Sequence, residues 1–148
     1  MHRIEHGKAN AGDDFWRPIV FLQHDFLGSS ADFVIQHHSK SLGFILADHG
    51  YDVWMGNFRG NTYSRKHTTL NPSRDKRKYS TDLIISWHLY SSDYWDFTID
   101  EMAHYDLPAM LTAVLEETTE GDLMFVGHGV GTTAFLAMSH YRPDLSQK

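Results

Sequence analysis

Apolar residues fall into short continuous runs separated by stretches where they recur every three or four positions. The runs are 19–22 (Ile-Val-Phe-Leu), following Pro18, then 51–55 (Tyr-Asp-Val-Trp-Met) and 123–126 (Leu-Met-Phe-Val). Runs of this length, bounded by turn residues, have the pattern of strands covered on both faces, as in a parallel sheet. A short further strand is expected near Arg3. Between the runs, Leu42, Ile45 and Leu46 recur at helical spacing, and His49-Gly50 closes that segment. Thr98-Ile99-Asp100-Glu101 fits a capping box. Asp106-Leu107-Pro108 is a second helix start, because proline is tolerated in the first turn. Two helices meeting at a kink near Tyr105 are therefore predicted. Leu107, Met110, Leu111, Val114 and Leu115 form the apolar face of the second, and Gly121 ends it. A last helix is predicted over 132–140, stopped before Pro143. Strands alternating with helices in this way indicate βαβ units. The fold class is α/β, with a parallel sheet carrying helices on both faces.

Composition narrows the functional classes. The 148 residues are 41% hydrophobic and 14% aromatic, enough for one core. The formal net charge of −6 argues against a nucleic-acid partner, which calls for a basic face. With no cysteine, disulfides and Cys-ligated zinc are excluded. No apolar run reaches the roughly 20 residues of a transmembrane helix. The segment Met1-His2-Arg3-Ile4-Glu5-His6 lacks the apolar stretch of a signal peptide. The eleven histidines include the neighbours His37-His38 and the pair His2 and His6, but no H-E-x-x-H spacing, so no metal is expected. The basic run over 74–78 reads as a solvated loop.

The candidate chemistry sits in Gly127-His128-Gly129-Val130-Gly131, between the third strand and the last helix. A strand, a glycine-rich turn and a helix are the setting of the nucleophile elbow, G-x-S-x-G, whose central residue is held exposed in a strained backbone. Gly127, His128 and Gly131 frame the turn. Gly129 stands at its centre, without an oxygen to attack a carbonyl. The first strand leads into His24-Asp25-Phe26-Leu27-Gly28, the place of an oxyanion loop. By position, the backbone N–H groups of Phe26 and Val130 would be the oxyanion donors. A carboxylate at Asp25 would oppose negative charge developing there. Phe26, Leu27 and Phe33 are candidates to line a lipid pocket. Arg59 and Asn57 are expected to brace their loop.

These stretches resemble the acid lipase family of the α/β-hydrolases, which includes the gastric and lysosomal acid lipases. The resemblance rests on Phe21-Leu22-Gln23-His24, Leu42-Gly43-Phe44-Ile45-Leu46-Ala47-Asp48 and Gly50-Tyr51-Asp52-Val53-Trp54. It continues through Gly56-Asn57-Phe58-Arg59-Gly60-Asn61-Thr62, Asp100-Glu101-Met102-Ala103, Tyr105-Asp106-Leu107-Pro108-Ala109, Val126-Gly127-His128 and Gly131-Thr132-Thr133. It implies an incomplete α/β-hydrolase fold, the N-terminal part of a lipase domain over 1–148, with an insertion over 76–92. It also implies neutral lipid esters (triacylglycerols and steryl esters) as substrates, a Ser-Asp-His triad, no cofactor, and a secreted or lysosomal setting.

Four departures bear on activity. Gly129 replaces the nucleophilic serine, Val130 replaces the glutamine after it, and His24-Asp25-Phe26 replaces His-Gly-Leu. The triad's acid and histidine are expected beyond residue 148. The chain is therefore expected to be a catalytically dead lipase relative. The alternative is a non-catalytic protein that binds lipid or a protein partner. A remote alternative is a dinucleotide module, because Gly127-x-Gly129 opens such a fingerprint. Position 132, where its third glycine belongs, is threonine.

Overall fold

The computed structural model describes residues 1–13, 15–72 and 93–147. The insertion expected over 76–92 and the basic run over 74–78 lie outside the described residues. Four strands form one sheet: β1 (His2–Ile4), β2 (Ile19–Gln23), β3 (Asp52–Met55) and β4 (Met124–Gly127), in the order β1-β3-β2-β4. β2 runs parallel to both neighbours, pairing Val20 with Val53 on one side and with Met124 on the other.

The apolar run of β2 is continuous because both its faces are covered. Ile19 and Phe21 enter one core with Phe58, Met102, Leu107, Leu111, Ala134 and Met138. Val20 and Leu22 enter a second core with Phe33, Ala47, Val53 and Met55. Each Val, Leu, Ile, Phe or Met side chain among them, fully buried, contributes on the order of 1.5–3 kcal/mol. Helix α1 (Leu42–Asp48) brings Ala47 to the second face. Helices α3 (Leu107–Thr118) and α4 (Val130–Tyr141) cover the first, and α5 (Pro143–Ser146) follows α4.

Four local features differ from expectation. β1 pairs antiparallel to β3, so the sheet is mixed. The Arg3 guanidinium holds it there, donating to both Asp52 carboxylate oxygens at 2.9 and 2.8 Å and lying 4.8 Å from the Trp54 ring centroid. β4 is half-exposed, because among the described residues it pairs with β2 alone.

The third difference concerns the two helix starts, which belong to one continuous helical path. Thr98 caps α2 (Ile99–Glu101) through a reciprocal box with Glu101. A π-helical turn, Met102–Asp106, then joins α2 to α3, with the Leu107 N–H bonded five residues back to the Met102 carbonyl. The wider turn falls where Pro108, lacking an N–H, interrupts the hydrogen-bond ladder. Fourth, the left-handed residue ending α3 is Thr119, at φ 56°, two positions before Gly121.

Candidate functional site

The site forms where β2 and β4, side by side, release their chains at the same edge of the sheet. The His128 N–H donates to the Gln23 carbonyl at 2.9 Å, carrying the β2–β4 pairing one step into the glycine turn. Gly127 and Gly131 are required by contact. A Cβ on Gly127 would lie 2.6 Å from the Thr132 nitrogen, and one on Gly131 would lie 2.6 Å from the Gln23 carbonyl oxygen. The Thr132 hydroxyl donates back to the Gly127 carbonyl at 2.7 Å, closing the turn. Gly129, at its tip, has φ 52° and ψ −116°, a conformation that L side chains rarely adopt. A tight strand–turn–helix geometry is therefore present around a residue with no side-chain oxygen.

Opposite Gly129 lies the loop that leaves β2. One oxygen of Asp25, Oδ1, accepts the backbone N–H of Phe26 and the backbone N–H of Val130, each at 2.7 Å. These are the two N–H groups expected, by position, to form the oxyanion pair. They converge on an internal carboxylate. Both bonds favour its ionised form, that of Val130 most, and they hold its pKa below the ordinary aspartate value. Val130 is also the first residue of α4, so the carboxylate gains from the positive end of that helix. A Cβ placed on Gly129 would overlap the Asp25 carboxyl group. The space of a serine side chain is already filled.

His24 is buried, and burial lowers its pKa. Its Nδ1 lies 2.7 Å from the Asp25 carbonyl, and its Nε2 accepts the Phe58 N–H at 3.2 Å. This pattern fits a neutral ring protonated on Nδ1, inferred from its partners. His24 thus joins the Asp25 loop to the loop after β3. Asn57 strengthens that joint, accepting from the Ser30 N–H at 3.0 Å and from the Asn61 amide at 2.7 Å. Arg59 braces the far side: its Nε and Nη2 donate to Asp106 Oδ1 at 2.9 and 2.6 Å, and its own N–H donates to Oδ2 at 3.0 Å. Asn57 and Arg59 fix the loop as expected; the importance of Asp106 comes only from the fold.

Beside this frame opens a cavity of about 900 Å³, walled by Phe26, Trp95, Phe97, Ile99, Met102 and Ala137, with Asp25 and Val130 in its lining. Phe26 and Leu27 line it, whereas Phe33 packs into the core on the opposite sheet face. Leu27 is 88% exposed and takes φ 60°. Trp95 and Phe97 carried no sequence signal for this role. They reach the cavity through the helical turn Asp93–Trp95 that precedes the Thr98 cap.

Comparison with known proteins bears on the fold. The sequence profile of the alpha/beta hydrolase fold matches residues 18–146. The chain is 44% identical over its whole length to human lysosomal acid lipase/cholesteryl ester hydrolase, of which it covers 33%. It is 42% identical over its whole length to bovine gastric triacylglycerol lipase and to human lipase member K, covering 33% of each. The chain thus spans about a third of the length of the curated relatives it matches.

Proposed function

Because the chain belongs to the alpha/beta hydrolase fold family, we propose that it keeps the elbow and lipid pocket of a neutral-lipid ester hydrolase without the ability to cleave. It binds lipid as a non-catalytic lipase relative. One observation carries this reading: the Asp25 carboxylate occupies the space of a nucleophile at Gly129 and consumes both the Phe26 and Val130 donors. An ester carbonyl arriving there finds no attacking oxygen at Gly129, and the N–H groups of Phe26 and Val130 are already bonded. It meets a negative charge where acyl transfer needs a positive field. Removing a single oxyanion donor costs roughly 10²–10³ in turnover elsewhere, and here two are occupied together with loss of the nucleophile.

The apolar cavity supports the binding half of the proposal. Its volume lies within the range of small-molecule sites, and Phe26, Trp95, Phe97, Ile99 and Met102 give its wall an aromatic and aliphatic part beside the polar residues. The remote dinucleotide alternative loses ground on the same carboxylate. Asp25 already supplies the anion at the start of α4, where a pyrophosphate would sit.

The test is hydrolysis of a short nitrophenyl ester, beside binding of the uncharged dye N-phenyl-1-naphthylamine. The natural chain is expected to enhance the dye's fluorescence saturably and to show no turnover above a heat-inactivated control. The Gly129→Ser variant is expected to stay silent too. Turnover by the natural chain would overturn the non-catalytic reading, and absence of dye binding would overturn the lipid-binding one.

A further inference from the structure

We infer that the apolar cavity beside the elbow takes a single-chain amphiphile whose polar end is a protonated amine, with Asp25 as the group that receives it. This rests on the lipid-binding reading above and goes further by assigning the chemistry of the polar end. Asp25 is among the residues lining the cavity, and its two carboxylate oxygens are unequally used. Oδ1 is saturated by the N–H groups of Phe26 and Val130. Oδ2 has no hydrogen-bond partner among the described residues. The cavity therefore offers an acceptor and a negative charge at the position where the hydrolase arrangement would offer donors.

That reversal sorts amphiphiles by their polar ends. A fatty carboxylate is repelled by Asp25 and finds the Phe26 and Val130 N–H groups taken. An ester carbonyl, which can only accept, gains no bond from a group that can only accept. An alkylammonium donates to Oδ2 and is attracted by the charge, while its chain covers Phe26, Trp95, Phe97 and Ile99.

The remaining charges lining the cavity do not oppose this. Arg59 is neutralised by its paired bonds to Asp106. Arg65 and Asp100 are exposed and of opposite sign. His24 is turned to its own partners, Asp25 carbonyl and Phe58 N–H.

Displacement of N-phenyl-1-naphthylamine at neutral pH, with decylamine, decanol, methyl decanoate and decanoate below their aggregation thresholds, tests the assignment. Decylamine is expected to displace the dye about tenfold more tightly than decanol, with decanoate weakest. In Asp25→Asn that preference is expected to vanish, the four probes drawing level, while Asp100→Asn keeps it. A cooperative thermal melt checks that each variant is folded. If Asp25→Asn does not fold, the ranking in the natural chain still decides. Equal binding of decylamine and decanoate by the natural chain, or loss of the preference in Asp100→Asn, would overturn the inference while lipid binding stands. Failure of the dye and all four probes to bind would overturn both.

Discussion

The Asp25 carboxylate and the Val130 backbone N–H, 105 positions apart in the chain, meet at 2.7 Å across the tip of the glycine turn. This contact ties the end of β2 to the start of α4, and it depends on the missing side chain at Gly129. Asp25 and Gly129 therefore form a matched pair: the first occupies what the second leaves open.

Gly129→Ser alone is expected to destabilise the protein by about 1–3 kcal/mol, through backbone strain and overlap with the Asp25 carboxyl group. In an Asp25→Gly background most of the overlap disappears. Urea unfolding of both single variants and the double is expected to give a coupling energy above about 1 kcal/mol. Strict additivity would show that the two positions do not share space.

Two groups of the site contribute to the acid response of the fold. Burial lowers the pKa of His24, so the unfolded chain takes up that proton first. The stability it contributes is complete above the ordinary histidine value of about 6.5 and falls as pH drops through it. The Asp25 pKa is lowered by the Val130 and Phe26 N–H groups. Its contribution is complete above about 3.9, the ordinary aspartate value, and is lost as pH falls toward its lower folded value. Melting temperatures of Asp25→Asn are expected to decline less steeply below about pH 4 than those of the natural chain. Parallel curves would remove Asp25 from the account.

Asp106→Asn is expected to cost about 1–2 kcal/mol, since it weakens charge-assisted bonds to a partly exposed arginine. The dye affinity of the cavity is expected to fall with it, because Asp106 closes the π-helical turn whose first residue, Met102, lines the wall. Chemical denaturation and dye titration of the same preparation check both effects.

Thr119→Gly is expected to stabilise the chain by about 0.5–1 kcal/mol. A β-branched residue at φ 56° is strained, and glycine is the usual occupant just past a helix end. A rise in melting temperature without change in dye binding is the expected signature.

The features legible in the sequence were those encoded locally. The apolar runs marked β2, β3 and β4, and the Thr98–Glu101 box marked a helix start, because each signal lies within a few residues of its effect. The direction of β1 was not legible: three residues carry no periodicity, and its orientation depends on Arg3 meeting Asp52. Two helix starts in close succession signalled a break near Tyr105, but a π-helical turn satisfies both signals without separating the helices. At the site, the sequence placed Phe26, Val130 and Gly129 in one turn and marked Asp25 as out of keeping with an oxyanion. That Asp25 also takes the Val130 donor follows from the juxtaposition of β2 and β4, a long-range event with no local trace.

The π-helical turn has a geometric corollary for the shape of the cavity. One extra residue in a helix advances its angular phase by about 100°. Met102–Asp106 therefore sets the phase of Ile99 against the cavity independently of the phase of Leu107 against the core. Deleting one residue from this turn would rewind it to a regular helix and rotate Ile99 off the wall, while leaving the core face of α3 in step. The wall can thus be re-registered by a change of length alone.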